Sequence, residues 1–392
     1  MIDFTAARLR ANPAYQFIPF TQLPEQERQV LAALQGDEEC YGILQPTGAF
    51  PLTLKSVDRN TALLFTRLQA PQPLPANVKL QHGEAVDEAI TQLVLDRILE
   101  VETGDTFVSG PDAYQVLHRP VSSPASDGKI ARLSVAALQY AQALEINDVA
   151  QLSLRLYFYN RLLASLQWRR KFSSPEAVMT HLGVQSGGAV AQVLARHQYI
   201  SLPAQSSSGW LAWRRHTYIH TANSLTYKLY ISPACEYIRP TFQAAATIFA
   251  QLGVSSFKVG RDVYGLLRPD KLVAYFDSFD ELQHAAAQLG AALAGTPAQG
   301  VPFTAALDEA GLLSWGIDPP KHEQSLGWAA HESWRLWLTN RLAAALLLAK
   351  AGPSSQVEPW QFAIERLRFE GIEPYTWTPS KTLWDASVMT QG

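Results

Sequence analysis

The chain has 392 residues, 47% of them apolar and 17% charged, which is enough apolar matter for large buried cores and too much for a disordered protein. Its 32 basic residues against 35 acidic ones leave a formal charge of −3, so no global basic field draws it to nucleic acid or to an anionic membrane. Cys40 and Cys235 are too few for a disulfide scaffold or a cysteine metal site, and the longest strongly apolar run, Leu342–Ala349, is eight residues where a membrane span needs about 20. The N-terminal MIDFTAARLR has no apolar signal core. These features predict a cytoplasmic globular protein of two or three domains with neither a nucleic-acid nor a membrane partner.

Along the chain, Leu23–Leu34 reads as a short helix and Tyr41–Gln45 and Pro51–Val57 as short strands between turn residues. Thr61–Leu68 carries a helical apolar stripe, and Ala70–Ala76 (APQPLPA) is too proline-rich to be anything but extended. Ala85–Ile98 is an amphipathic helix that runs into a hairpin at Leu99–Gly110, a winged-helix-like order. Residues 119–128 (RPVSSPASDG) form the best domain boundary. Helices are expected at Ala131–Leu144, Asp148–Leu166, Pro175–Leu182 and Gly188–Arg196. Beyond residue 200 the pattern changes. Trp210–His220, Ser224–Ser232, Ser256–Val259, Lys271–Phe276, Gly300–Thr304 and Leu312–Ile317 read as strands, interleaved with helices at Thr241–Leu252 and Phe279–Leu293. Ser333–Lys350 and Glu358–Phe369 close the chain as helices before an irregular tail. The expected organisation is a module over 1–118, a helical lead-in over 129–200 and an α+β domain over 201–392.

The familiar catalytic signatures are absent. There is no GxxxxGK[ST], no GxGxxG and no GxSxG. His322-Glu323 and His331-Glu332 lack the second histidine of HExxH, so no metal site is expected. Trp334 and Trp337, three apart on one helical face, read as core.

What stands out is a local excess of cations. Arg214, Arg215, His216, His220, Lys228, Lys258, Arg261, Arg268 and Lys271 fall within 210–271, several inside apolar strands. Strand alternation puts Lys228 on one face with Thr226 and Tyr230, opposite Leu229 and Ile231, and puts Lys258 opposite Phe257 and Val259. Two lysines on the polar faces of neighbouring strands, beside arginines, make an anion pocket or an ordinary solvated sheet surface. Arg335, in the first turn of the 333–350 helix, either joins such a pocket or lies on the surface, and Tyr157, Tyr159, Asn160 and Arg161 (LYFYNR) line a cleft or a buried stripe.

The ordered series Tyr227–Pro233, Phe257–Arg261, Arg268–Tyr275, Gly300–Thr304, Leu313–Pro320 and Glu370–Tyr375 resembles the type III effector family of the HopA class. Relatives of that family include the stand-alone lyases of class V lanthipeptide and thioamitide clusters. The resemblance covers roughly residues 130 to 380. More distantly, YKLYIS, a helix and FKVG are similar to the phosphothreonine lyase pattern and to the lyase domain of class III and IV lanthipeptide synthetases. The resemblance implies a phosphothreonine-lyase-like mixed domain that eliminates phosphate from phosphoserine or phosphothreonine of a ribosomally made peptide, leaving a dehydroamino acid. It implies a cofactor-independent reaction, with a phosphorylated precursor peptide and a separate Ser/Thr kinase as partners. In this family a lysine abstracts the Cα proton, and Lys258 matches it; Lys228 matches the phosphate-side lysine. Arg261 and Arg268 fall where a phosphate clamp would, with Lys271 and Arg335 as further anion ligands. The family's general-acid histidine is Tyr230 here, with His216 or His220 as substitutes. That departure keeps a second reading in view, a catalytically inactive phosphopeptide- or partner-binding protein.

Residues 41–105 also look faintly like the PqqD-type precursor-recognition fold, which captures a leader peptide by adding it to a sheet edge. A DNA-reading helix is disfavoured at Ala85–Ile98, where Asp87, Glu88 and Asp96 face only Arg97.

Overall fold

A computed structural model describes residues 4, 7–31, 40–48, 53–76, 78, 86–117, 128–202, 209–218, 226–319, 332–351 and 357–380. The 119–128 boundary segment (apart from Gly128), His220, His322-Glu323 and His331 lie outside these residues. The described chain is α+β and divides into two units.

The first unit takes residues up to 117 together with 341–351 and 357–370. Strand β1 (Arg8–Ala11) is followed by β2 (Tyr15–Pro19), α1 (Glu25–Val30), β3 (Gly42–Pro46), β4 (Lys55–Val57) and α2 (Arg59–Arg67). Asp58 caps α2 by accepting a hydrogen bond from the Thr61 amide at 2.7 Å. Then come β5 (Gln72–Pro73), α3 (Val86–Leu95), β6 (Leu99–Thr103), β7 (Thr106–Val108) and α4 (Pro111–Leu117). Four strands form a sheet in the order β5-β1-β6-β7, and three more form β2-β3-β4, all antiparallel. The hairpin after α3 is therefore present, but β6 pairs on its other side with β1, from a segment whose short, mixed sequence carried no strand expectation. The proline-rich loop also supplies a strand of two residues, with Pro73 at a sheet edge where its missing donor costs nothing.

The second unit takes residues 128–319, 332–340 and 371–380. It opens with helices α5 (Lys129–Gln142), α6 (Val149–Tyr157), α7 (Leu166–Lys171), α8 (Pro175–Leu182) and α9 (Ala189–Arg196). Serines at the N-caps of α7 and α8, Ser165 and Ser174, and Asp148 before α6 accept amide hydrogen bonds from the first turns. Of the expected helix over 148–166 only Val149–Tyr157 forms, and the chain stays non-helical until α7, because Asn160 takes a left-handed backbone at φ 65°. Its side-chain amide donates to the carbonyls of Gln299 and Gly300 at 3.0 and 2.9 Å, which fixes the break.

Next come β8 (Tyr199–Ser201), β9 (Trp210–Arg215), β10 (Tyr227–Ile231), α10 (Ile238–Leu252), β11 (Ser256–Gly260), α11 (Val263–Leu266), β12 (Leu272–Phe276), α12 (Phe279–Ala292), β13 (Ala305–Ala306) and β14 (Leu313–Ile317). These strands make one antiparallel sheet in the order β13-β14-β10-β12-β11-β9-β8. Residues 300–304, expected as a strand, form a loop in which Phe303 adopts φ 62°. Helix α13 (Trp334–Lys350) starts in this unit and finishes in the first, which also holds α14 (Pro359–Arg366).

The sheet's two faces differ sharply. One packs on α8, α9, α10 and α12 and supplies Trp213, Leu229, Ile231, Phe257, Val259, Leu272, Ala274 and Phe276 to the main core. The strand register puts the alternate residues on the other face: Ala212, Lys258, Val273, Tyr230 and Ser314 lie along one line, and Arg214, Ser256, Tyr275, Lys228 and Gly316 along the next. Val301 packs on Tyr230 and Val273 there. Trp334 and Trp337 are fully buried and stacked, ring centroids 6.2 Å apart. Gly316 is required under Trp334: a β-carbon on it would lie 2.3 Å from the indole Cδ1.

Candidate functional site

The site lies on the second face, under the end of α6 and the start of α13. The register confirms the expected alternation for Lys228 and Lys258. Their strands are not adjacent, however. β12 runs between them and places Tyr275 beside both, so the ring centroid is 5.6 Å from the Lys228 amine and 5.3 Å from the Lys258 amine.

Lys228 is buried and ion-paired to Asp318, which follows β14. The same Asp318 carboxylate accepts from the Trp334 backbone amide at 3.1 Å, anchoring the N-terminus of α13. Arg268, after α11, forks onto Asp270: Nε donates to Oδ1 at 2.7 Å and Nη2 to Oδ2 at 2.8 Å. Nη2 also donates to the Tyr157 hydroxyl at 3.0 Å. Arg335 is 1% exposed and fully occupied. It donates to Asp270 at 2.9 Å, to the Pro302 carbonyl at 3.1 Å and to the carbonyl of Tyr157, the last residue of α6, at 2.7 Å. Arg335 thus secures a helix end and a carboxylate, and its fork is committed inside the protein. The pair of guanidiniums holds the Asp270 carboxyl well below the usual range although burial alone pushes it up.

Lys258 is the exception. Among the described residues its ammonium makes no hydrogen bond or ion pair; it sits 4.5 Å from the centroid of Trp210 and over Tyr275. Burial, then the nearby positive charge of Lys228, lowers its pKa to about 8. Arg268 lies over the same Trp210 ring, its Cζ 4.9 Å from the centroid, and its Nη1 carries no hydrogen bond to a described residue. Among the described residues, Lys228, Lys258, Arg268 and Arg335 face two carboxylates, Asp270 and Asp318, an excess of two positive charges when Lys258 is protonated.

Tyr230 is 4% exposed on the same face. Burial, with Asp318 next in weight, drives its hydroxyl pKa far above the ordinary value and keeps it a neutral O–H donor. Of the remaining expected residues His220 lies outside the described ones, and His216, Arg261 and Lys271 are not brought here. His216 is exposed at a turn, four residues along β9 from the Ala212 that pairs with Lys258, about 13 Å of strand. Arg261 follows Gly260 after β11, and its charge is felt by Glu176 at the start of α8, on the helix-packed face. Lys271 is completely buried, donating to the Pro233 carbonyl at 2.7 Å and to the Gln299 side chain, so its amine is spent inside the protein.

Asp270, Asp318, Tyr157, Tyr275 and Trp210 complete the site without having been assigned to it. The two aspartates had a signal. Each is a lone acid beside prolines (Arg268-Pro-Asp-Lys and Ile317-Asp-Pro-Pro) within or just after a cationic strand region, where a buried carboxylate is needed to hold guanidinium or ammonium groups in place. No group of histidine, cysteine, aspartate and glutamate able to hold a metal ion is found among the described residues, and no described helix is long and apolar enough to cross a membrane.

No protein-family model matches the chain, and no curated protein does. Among solved structures, the chain is similar to an effector protein from Pseudomonas syringae pv. tomato strain DC3000 at 12% identity and a TM-score of 0.40, over 65% of this chain and 98% of that one. An effector protein from Pseudomonas syringae pv. syringae strain 61 gives the same identity and score over 64% and 98%. The Chromobacterium violaceum VirA (SpvC) phosphothreonine lyase effector is similar at 15% identity and a TM-score of 0.27, over 36% of this chain and 77% of that one. At these values the functional reading has to stand on the site itself.

Proposed function

We propose that the second unit is a phosphothreonine-lyase-like domain that eliminates phosphate from phosphoserine or phosphothreonine in a peptide, without a cofactor. The observation that carries this reading is Lys258, an amine with no polar partner among the described residues and a pKa lowered to about 8, beside an arginine with unused donors and within a net positive pocket. At neutral pH roughly a tenth of such a lysine is the free base. In the reaction, Lys258 Nζ takes the proton from Cα, those electrons form the Cα–Cβ double bond, and the Cβ–O bond breaks. The departing phosphate carries the bond electrons. A dianionic ester would leave as a trianion, so it needs cations and a proton. Arg268 Nη1 and Lys228 supply charge, and the neutral Tyr230 hydroxyl, or the Lys228 ammonium, supplies the proton. Lys258 then gives up its proton and the depleted donor takes one back, directly or through solvent, which restores both groups.

The natural substrate in this reading is a ribosomally made precursor peptide phosphorylated by a separate kinase. The first unit, whose two sheets offer the edges of β2, β4, β5 and β7, would hold its leader. The alternative is a phosphopeptide binder without turnover, favoured by Tyr230 standing where an acid of lower pKa would serve better. Mass spectrometry of phosphoserine and phosphothreonine peptides, incubated without metal or nucleotide, separates the two. Loss of the elements of phosphoric acid that disappears with Lys258→Ala supports the lyase. Tight binding with unchanged mass, for generic peptides and for a leader-bearing phosphorylated precursor alike, leaves the binder.

A further inference from the structure

Between Asp148 and Glu176 the chain carries Arg155, Arg161, Arg169, Arg170 and Lys171 and not one acidic residue. All five cations are exposed, in a protein of net charge −3. Large apolar side chains are exposed in the same stretch: Leu154 is 39% accessible, Phe158 37%, Leu166 71% and Leu163 91%. Single exposed leucines are ordinary, but a run of them interleaved with cations along one stretch of chain points to a docking site, and Leu154, Arg155 and Phe158 of that run share one recess.

The surface also has a recess. Tyr140, Leu154, Arg155, Phe158 and Tyr159 line an open cavity of about 500 Å³. The Tyr140 and Tyr159 rings pack on each other in its wall, centroids 5.7 Å apart. The break at Asn160 shapes one end, since its left-handed backbone and its hydrogen bonds to Gln299 and Gly300 turn the chain away from α6. Phe158 joins this cavity to the site: the same ring that lines the cavity lies 5.4 Å from the Arg268 guanidinium carbon. Arg161 stacks over Phe158 at 5.7 Å and over Tyr264 at 5.4 Å, adding charge at the rim.

We infer that this cavity and its cationic rim seat the segment flanking the phosphorylated residue of the peptide substrate, and that they select a large apolar side chain close to the phosphoresidue together with acidic neighbours. The occupant follows from two observations. The cavity adjoins the anion site, with Phe158 bordering both, so a chain bound at Arg268 needs only to pass this ring to reach it. The charged side chain that lines it is Arg155, with Arg161 over Phe158, which fits a peptide bearing carboxylates, while Asp148 marks its far end at Gln151. The shared ring also sets the spacing: an extended chain covers about 3.4 Å per residue, so the apolar anchor falls within about three residues of the phosphate. The inference rests on the reading of the site as one that receives a phosphopeptide, and it holds for a lyase and for a binder alike.

The test uses full-length protein and fluorescent phosphothreonine peptides that vary one to three residues on either side of the phosphate. A peptide with Leu or Phe in this window and Glu beside it is expected to bind roughly ten- to a hundredfold more tightly than its Ala or Lys counterparts. Leu154→Asp and Arg155→Glu, both at exposed positions, are expected to erase that preference while binding of inorganic phosphate stays unchanged. Turnover of the same peptides by mass is read separately. Preference without turnover upholds the docking surface and removes the lyase, whereas turnover indifferent to flanking residues upholds the lyase and overturns the docking surface. Failure of every phosphopeptide to bind overturns both, and sedimentation with anionic vesicles in place of peptide binding assigns the surface to lipid and ends this proposal.

Discussion

Both units bury a cluster of charges, and the two clusters are built on different terms. In the first unit Arg366 forks onto Asp96 at 3.0 and 2.7 Å and lies 3.3 Å from Glu370. Lys55, its pKa lowered by burial and partly restored by Asp96, and Arg97, facing Asp112 and Glu100, complete that group. With Arg10 on Glu100 and Arg341 on Glu370, five bases there meet four acids, close to balance. In the second unit four cations share two carboxylates, and one amine has aromatic rings for company. Burial and shifted pKa values are common to both clusters, so neither separates a structural network from a site. The steeper excess of positive charge and the aromatic platform under Lys258 do, because buried donors without a hydrogen bond occur in the first unit as well, at Arg97 Nε and Nη2.

Lys258→Met gives the largest effect that the contrast allows. Removing the base is expected to lower turnover by roughly a thousandfold or more, on the scale of general-base catalysis, while binding of the phosphopeptide weakens little. The wild-type rate should rise with pH and level off above about 8, where Lys258 loses its proton. Stability moves with it. A lysine whose folded pKa lies near 8 and whose unfolded value is 10.5 opposes folding below pH 8, and that cost fades as pH rises from 8 to 10.5. The methionine variant is therefore expected to be the more stable protein at pH 7, by a margin of order 2 kcal/mol. A variant that keeps wild-type turnover ends the assignment of Lys258.

Next in size are the two carboxylates that organise the clusters. Asp270→Ala leaves Arg268 and Arg335 without their shared partner, and Asp96→Ala does the same to Arg366; each should cost about 3–5 kcal/mol in urea unfolding at pH 7. Only the first should alter phosphopeptide binding and turnover if the proposed site is the one that receives the phosphate. The pH dependence carries a sign. Because its folded pKa is depressed, Asp270 stabilises the fold fully above its unfolded value near 3.9, and that contribution drains as pH falls towards the lower folded value. Wild type should lose stability below about pH 4 more steeply than Asp270→Ala. Equal acid slopes would show that the pair is not formed.

The strand alternation that puts Lys228, Tyr230 and Lys258 on one face was legible in residues 226–232 and 256–260, because a period of two is a local property. What was not legible is the order of the strands. YKLYIS and FKVG are successive strands along the chain, and nothing local says that KLVAYF, which comes later, will lie between them with Tyr275 as a spacer. Long-range order also decided which cations serve the site. Lys271 and Arg335 looked like anion ligands by composition, but acceptors from Pro233, Gln299, Pro302 and Tyr157 use up their donors, and those acceptors are distant in sequence. The break in the 148–166 helix was hidden in the same way, since Asn160 is held in its left-handed conformation by carbonyls far along the chain. β1 escaped notice because RLRA has no alternation of its own and gains its place by pairing with β6.

Lys271 sharpens the contrast inside the second unit. It shares with Lys258 a pKa lowered to about 8 by burial, yet its amine is saturated with acceptors. Lys271→Met leaves a buried carbonyl and the Gln299 oxygen without a donor, which costs about 1–3 kcal/mol. Turnover should stay within about twofold of wild type, as expected when no reacting group has been touched. Removing the Lys271 charge also returns the kind of linkage cost that Lys258→Met relieves, so Lys271→Met gains less stability than Lys258→Met at neutral pH, and turnover is lost only at Lys258. A loss of turnover at Lys271 comparable to that at Lys258 would mean that lowered lysine pKa, and not the free amine, is what the site uses.

The smallest effect belongs to Trp210, whose ring meets both the Lys258 ammonium and the Arg268 guanidinium. An aromatic face stabilises a cation by about 0.5–1 kcal/mol at a partly exposed position, with tryptophan the strongest donor of such attraction. Trp210→Phe keeps a ring but weakens the attraction, and the charged form of Lys258 is the one that loses. The pKa should therefore fall, by a few tenths of a unit at 1.36 kcal/mol per unit. The rising limb of the pH–rate curve moves to lower pH by that amount, so turnover at pH 7 holds or rises slightly while KM increases severalfold as Arg268 loses its platform. Trp210→Leu, with no ring, should move the limb further in the same direction. A limb that moves to higher pH would show that the ring's larger contribution is to exclude water from the amine, with burial outweighing the cation–π attraction at this position.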